Sequence, residues 1–336
     1  MSLKTFAHAF GFIAKVSWTS KDKYMKITVK VPATSANIGP GFDTMGIAFP
    51  LYNTITIEET VMPGSGVIIE LVSDYNYKDK TLLEQVPCDN TSIVYKAIEM
   101  LYNSIGQTPA ELKITINTKI PLTRGLGSSS SVIVGALIGA NELLGRPADE
   151  AALLSIATEI EGHPDNVAPA ILGGVVFSSL QQDGSVVYRK LPWPKDWKFT
   201  ACVPDFELST SIARSVLPKE VPLEDAIFNT QRFGMFINAL YTADAKLMKL
   251  ALDDKLHQPY RMNLIPGLDE IINSVKYEDD VLGCVISGAG STILLITTNS
   301  GNEKAKNIVQ SIWNEHNIKV DLYDFDIDNE GAKIIN

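Results

Sequence analysis

The chain carries only three cysteines, Cys88, Cys202 and Cys284, among 336 residues. They are widely spaced, odd in number and form no CxxC pair, so neither a disulfide framework nor a zinc site is indicated. A reducing, cytoplasmic compartment is the setting this predicts. No run of sequence approaches the roughly 18–20 apolar residues that a membrane helix needs. Lysines and arginines are nowhere dense enough to follow a phosphate backbone, and the net charge is −10, which argues against nucleic acid as a partner. A secretory leader is poorly served as well. In MSLKTFAHAFGFIAKVSWTSKDKY, residues 1–24, His8 interrupts the short apolar run and lysines follow it where a small-residue cleavage site would stand. Repeats and low-complexity tracts are missing too.

What is present is ordinary material for a packed core: 45% apolar and 20% charged residues, over a length that suits two modest domains. Apolar and polar residues alternate over 25–33, 52–59, 66–72 and 111–120, which predicts half-buried strands. Helical spacing covers 91–105, 130–145 and 148–162, the last two stopped by glycine and then proline. Two short runs, 173–180 and 184–191, read as a hairpin. The stretch LPWPKDW, 191–197, breaks the pattern and places a boundary between units 25–192 and 193–336, behind an extension at 1–24. Past it come a strand, a polar stretch, a long helical region at 221–256 and a helix at 267–276. A strand entering a glycine turn, an amphipathic helix over 305–316 and a last strand near 318–327 complete the chain. Strands and helices that mix without strict alternation predict α+β in both halves.

Four stretches carry chemistry. VPATSANIGPGFD, opening residues 31–49, has few apolar residues of its own and is expected outside the core, offering the Asn37 amide and the Asp43 carboxylate to a ligand. PLTRGLGSSSS, 121–131, stands between a strand and a helix. Its glycines let the backbone turn sharply, and its serines begin a helix whose unpaired N–H groups favour an anion, polyphosphate above all. One serine would suffice for capping, and four follow in a row. The loop is neither a Walker A motif nor a dinucleotide fingerprint. EGHPDNVAPA ends a helix and presents His163, Asp165 and Asn166 from a proline-stiffened turn. Beside it Glu159, Glu161 and the serine hydroxyls are hard oxygen ligands of the kind Mg²⁺ takes alongside phosphate. SGAGST, with Gly288, reads as a turn where backbones approach closely.

These four motifs, in this order from about residue 25 to the end, resemble the GHMP small-molecule kinases. Within that family they look most like the branch that phosphorylates the side-chain hydroxyl of L-homoserine for threonine biosynthesis. The resemblance implies a ribosomal-S5-like N-terminal domain, a ferredoxin-like C-terminal domain, and ATP and Mg²⁺ between them. It also allows a homodimer. It implies nucleotide contacts from Pro121, Arg124, Gly125, Leu126, Gly127, Ser128, Ser129, Ser130 and Ser131. Asn90 matches a nucleoside-pocket position, though it could equally be a helix cap. Magnesium would fall to Ser129 with Glu161 or, as second choice, Glu159. The amino acid would meet Asn37, Asp43, His163, Asp165, Asn166, Thr210, Arg214, Arg261 and Gly288. Asp43 would take the ammonium group, and the two arginines would grip the carboxylate with their planar forks. Asn166, Asp165 and Arg214 are the expected catalytic positions, with Asn166 where related kinases place an aspartate base. Kinases of mevalonate-like or sugar substrates, an RNA-binding module and a silent ligand sensor are the competing readings.

Overall fold

In the computed structural model, residues 25–60, 66–75, 77, 81–109, 111–298 and 302–335 are described, and the expected extension at 1–24 lies outside them. The first sheet has seven strands. β1 (Lys26–Ala36) and β2 (Met45–Glu59) pair antiparallel, and the register slips between Pro32 and Ala33. Pro32 and Pro50 face this irregularity and have no N–H to give a ladder, so a bulge is the natural place for them. β3 (Val67–Ser73) runs parallel to β4 (Leu112–Thr118). A parallel pair needs a crossover, and α1 (Thr81–Glu84) and α2 (Ile93–Ser104) provide it. The hairpin of β5 (Val175–Leu180) and β6 (Val186–Leu191) joins the sheet through β2.

α2, α3 (Ser128–Leu143), α4 (Glu150–Glu161) and α5 (Pro164–Leu172) cover one face of this sheet over a core that includes Val29, Ile57, Ile98, Ile114, Val134 and Leu154. α3 is buried nearly all round, as its unbroken apolar run requires.

The second sheet is antiparallel, with strands in the order β10 (Val320–Phe325), β7 (Trp197–Pro204), β9 (Ile293–Thr298) and β8 (Val281–Ile286). The run after the glycine turn is thus a strand, β9. α6 (Thr210–Ser215) occupies the stretch expected to be merely polar, and the long helical region is two helices, α7 (Leu223–Thr242) and α8 (Ala245–Ala251). α9 (Gln258–Arg261), α10 (Leu268–Val275) and α11 (Asn302–Glu315) complete this part of the chain.

One expectation fails outright. The 31–49 stretch is core: Ala33, Ile38, Met45, Ile47 and Phe49 are fully buried in the cluster that also holds Trp197, Phe199, Phe236 and Leu294. The stretch is the end of one strand and the start of the next, buried on both faces, and of its turn only Phe42, Asp43 and Thr44 are partly exposed. The chain finally returns to the first sheet. β11 (Lys333–Ile334) pairs with β1, and buried Asp328 accepts from the Tyr52 hydroxyl at 2.6 Å and the Gly331 N–H at 2.7 Å.

Candidate active site

The 121–131 loop leads from β4 into α3, and two of its glycines have no room for a side chain. A Cβ on Gly125 (φ +72°) would stand 2.1 Å from the Ser287 carbonyl oxygen, and one on Gly127 (φ +68°) 1.9 Å from the Thr34 hydroxyl. Gly127 caps α3 without a side chain, so the first-turn N–H groups have no side-chain partner. The four serines diverge. Ser128 and Ser130 have buried hydroxyls with no hydrogen-bond partner. Ser129 donates to Glu161 Oε2 at 3.1 Å. Ser131 is occupied, donating to the Ser128 carbonyl at 2.7 Å and accepting from Asn53 at 2.8 Å.

Glu161, the last residue of α4, lines the cleft with Ser129, while Glu159 is exposed two residues earlier. Arg124 is buried and donates from Nε to the Pro204 carbonyl at 3.2 Å, tying the loop to the end of β7. Pro121 lines the cleft, and the Leu126 side chain is core. Asn90 is exposed ahead of α2, whose N-cap is Ser92; Asn90 is not the cap, and it does not line this cleft.

Opposite the loop, Asn37 (φ +64°) and Asp43 (φ +52°) bracket the tight turn between β1 and β2, a backbone region that Asn and Asp tolerate better than most residues. Both ends of the Asn37 amide have protein partners: Oδ1 accepts from the Asp43 N–H at 2.8 Å, and Nδ2 donates to the Gly288 carbonyl at 2.9 Å. Asp43 and Arg214, assigned by resemblance to opposite ends of one substrate, form a bidentate pair at 2.8 and 3.2 Å. Those bonds outweigh burial, which acts the other way, and raise the Arg214 pKa.

Arg261 is almost wholly buried, donating to the Gly288 carbonyl at 3.0 Å and the Ala213 carbonyl at 3.1 Å. Burial, followed by the charge of Arg214, pulls its pKa down to about 10. Phe42 lies within 5.7 Å of the Arg214 guanidinium and 5.3 Å of that of Arg261, and it stacks on buried His257.

The expected turn after His163 is a helix. Gly162 ends α4 in the left-handed conformation, and Pro164 occupies the first position of α5, where its missing N–H costs nothing. Asp165 and Asn166 therefore sit in a helical first turn, a setting that favours a carboxylate. Asp165 is wholly buried; Oδ1 meets His163 Nδ1, and Oδ2 has no partner. Burial depresses the His163 pKa, but the bond to Asp165 and the charges of Asp165, Glu161 and Asp43 outweigh it and raise it overall. Asp43, His163 and Asp165 each present an atom within 4.8 Å of the others. The Asn166 side-chain oxygen accepts from the Thr34 hydroxyl at 2.8 Å. Thr210, at the start of α6, lines the same cleft as Arg214, Arg261, His163 and Gly288. The cleft has a volume of about 140 Å³. That is well below the roughly 300 Å³ at which drug-sized pockets begin.

Sequence reasoning missed Thr34, Phe42, His257 and Ser287. Ser287 links the walls, its hydroxyl 2.6 Å from the Gly125 carbonyl and 2.7 Å from Ser35 Oγ. Thr34, Phe42 and Ser287 stood inside quoted motifs, and their chemical plainness hid them; for His257 no local signal existed.

The sequence model of the GHMP kinases N terminal domain matches residues 92–174, and that of the GHMP kinases C terminal matches 237–318. The homoserine kinase of Microchaete diplosiphon is 40% identical over 310 residues, covering 92% of this chain and 97% of that protein. Among solved structures, the homoserine kinase of Cytophaga hutchinsonii superposes with a TM-score of 0.80 at 28% identity, covering 95% of this chain and all of that one. The Methanococcus jannaschii mevalonate kinase shares the fold, with a TM-score of 0.60 at 16% identity and coverage of 94% and 100%. Both terminal models match and the likeness to such a relative runs over nearly its whole length, so the chain belongs to the GHMP kinase family, among its homoserine kinases.

Proposed function

We infer that the cleft phosphorylates the side-chain hydroxyl of L-homoserine at the expense of ATP, giving O-phospho-L-homoserine and ADP, a step of threonine biosynthesis. One observation carries the substrate choice: an acid and two arginines meet at the cleft, Asp43 paired with Arg214 and Arg261 close behind. A zwitterionic amino acid satisfies both signs at once, whereas a mevalonate-like acceptor answers only the arginines and a neutral sugar answers neither sign. Homoserine would enter by exchange, its ammonium taking up Asp43 and its carboxylate the arginine forks. Asn37 holds the Asp43 turn in place, and His163 and Thr210 close the pocket, with Asp165 buried against His163.

The acceptor oxygen attacks the γ-phosphorus in line as the bond to the β-phosphate oxygen breaks, and the hydroxyl proton leaves for solvent. Such transfer depends on positioning and charge neutralisation. The α3 N-terminus, the Gly125–Ser128 backbone and the unpartnered hydroxyl of Ser128 suit the phosphates, while Ser130 is buried and does not line the cleft. Asn166 cannot serve as a base, and Asp165 is committed to His163 through one oxygen. The donor set beside the loop, the Ser129 hydroxyl and the Glu161 carboxylate, fits a hard divalent cation. Mg²⁺ held there would neutralise charge on the β- and γ-phosphates. Cys88, Cys202 and Cys284 are all free thiols, in keeping with a cytoplasmic enzyme. Among the described residues no helix is long and apolar enough to cross a membrane.

The test is ADP release with homoserine, mevalonate, shikimate and galactose as alternative acceptors. Homoserine should exceed the others in kcat/KM by at least about 100-fold, because none of the rivals brings both an ammonium group to Asp43 and a carboxylate to the arginines. Equal turnover of an acceptor without an ammonium group would overturn the assignment.

A further inference from the structure

Thr34 lies in β1 within the stretch that carries Asn37 and Asp43, yet its side chain is wholly buried. Its hydroxyl donates to Oδ1 of Asn166 at 2.8 Å, and its N–H donates to the Leu126 carbonyl at 3.1 Å. The same hydroxyl stands 1.9 Å from where a Cβ on Gly127 would be. One residue therefore touches both the phosphate loop and Asn166.

A side-chain amide can present its oxygen or its NH₂ to a ligand with almost the same shape. The two ends act differently on a reacting hydroxyl: the oxygen would accept its proton, the NH₂ would donate toward its oxygen or the transferring phosphoryl group. Asn166 lines the cleft and its oxygen is engaged by Thr34, so Nδ2 is the end of the amide that this bond leaves uncommitted. We propose that Thr34 is a positioning residue for phosphoryl transfer: it fixes the Asn166 amide with Nδ2 toward the acceptor oxygen and sets its distance from the phosphate loop. A donor so placed stabilises negative charge developing on the oxygens in transit. The proposal rests on homoserine being the acceptor, with Asn166 beside its hydroxyl.

The experiment compares kcat, both KM values and inhibition by L-2-aminobutyrate, which has the ammonium and carboxylate of homoserine but no hydroxyl. Thr34→Val keeps the volume and removes the donor, freeing the amide to turn. Its kcat should fall by roughly 5- to 30-fold, the usual range for one lost hydrogen bond at a buried amide. The KM for ATP and the inhibition constant of 2-aminobutyrate should stay within about twofold, and Thr34→Ser should recover most of the loss. In an Asn166→Ala background Thr34→Val should cost nothing further. Should Thr34→Val not fold, Thr34→Ala carries the same expectations.

Unchanged kcat, weakened 2-aminobutyrate binding or an undiminished loss in the Asn166→Ala background would each overturn the proposal. Failure of the homoserine reading looks different, because the unmodified enzyme would then ignore 2-aminobutyrate and prefer another acceptor.

Discussion

The Pro121–Ser129 loop meets the cleft as one contiguous stretch, whereas the acceptor side is made of side chains from four separated segments, around 37, 161–166, 210–214 and 261, with the Gly288 turn. The loop's shape is imposed by exclusion: carbonyls and hydroxyls of other segments occupy the space that side chains on Gly125 and Gly127 would need. The acceptor side is held by mutual satisfaction, Asp43 on Arg214, His163 on Asp165, and Asn37 with Arg261 on the Gly288 carbonyl. Damage to the first should therefore be steric and affect every substrate. Damage to the second should be electrostatic and confined to the amino acid.

The largest effect is expected from Gly125→Ala. Its Cβ would fall 2.1 Å from the Ser287 carbonyl oxygen in a backbone conformation that alanine resists, so the loop itself must move. A displacement of about 1 Å in such a site costs on the order of 100-fold, and kcat/KM should fall by at least that for ATP and homoserine alike. Steady-state kinetics with each substrate varied in turn measures this. A loss restricted to homoserine would erase the contrast between the two walls.

The same contrast explains what could be read from the sequence. Glycines between a strand and a serine-rich helix start are a local signal, because backbone geometry is local, and the loop stands where its pattern placed it. The strands at 52–59, 66–72 and 111–120 were equally legible from alternation. Asn37, Asp43 and the 163–166 stretch were singled out locally, but Thr210, Arg214 and Arg261 were named only through family likeness, since no local rule brings Asp43, Arg214 and Arg261 together across more than 200 residues of chain. The burial of Ala33, Met45 and Phe49 was illegible because glycine and proline dilute the strand pattern around them, and what buries them is the second sheet's core. The helix over Pro164–Leu172 was hidden by a proline that reads as a turn signal and serves as a helix start.

Arg214 and Arg261 divide the acceptor wall further. Losing either should lower kcat/KM for homoserine by roughly 10- to 150-fold, the weight of one charge-assisted contact, with the KM for ATP changed less than about threefold. Stability should separate them. The Arg214–Asp43 pair is about one-third exposed on each side, 37% and 35%, so Arg214→Ala should leave the melting temperature nearly unchanged. Arg261→Ala strips the Ala213 and Gly288 carbonyls of a buried donor and should lower it clearly. Lysine at either position should restore charge without the fork and recover only part of the rate. Normal homoserine kinetics in both alanine variants would remove the pocket assignment.

The smallest effects test where the two walls meet, at the end of α4. Glu159 and Glu161 lie two residues apart on a helix, so their side chains diverge. Glu161 meets the Ser129 hydroxyl at 3.1 Å inside the cleft; Glu159 is in solvent. If Glu161 is the carboxylate that serves magnesium, Glu161→Gln keeps its size and hydrogen bonding but removes the charge. The Mg²⁺ concentration for half-maximal rate should then rise by about tenfold, near the worth of one charged oxygen ligand in a partly hydrated site. Glu159→Gln should shift it by less than about twofold, as an exposed charge screened by solvent does. Saturating Mg²⁺ should return much of the Glu161→Gln rate, and the KM for homoserine should hardly move in either variant. The reverse pattern, with Glu159 governing the Mg²⁺ requirement, would mean that the Ser129–Glu161 bond only closes the loop and that the cation is held from the outer face of the helix.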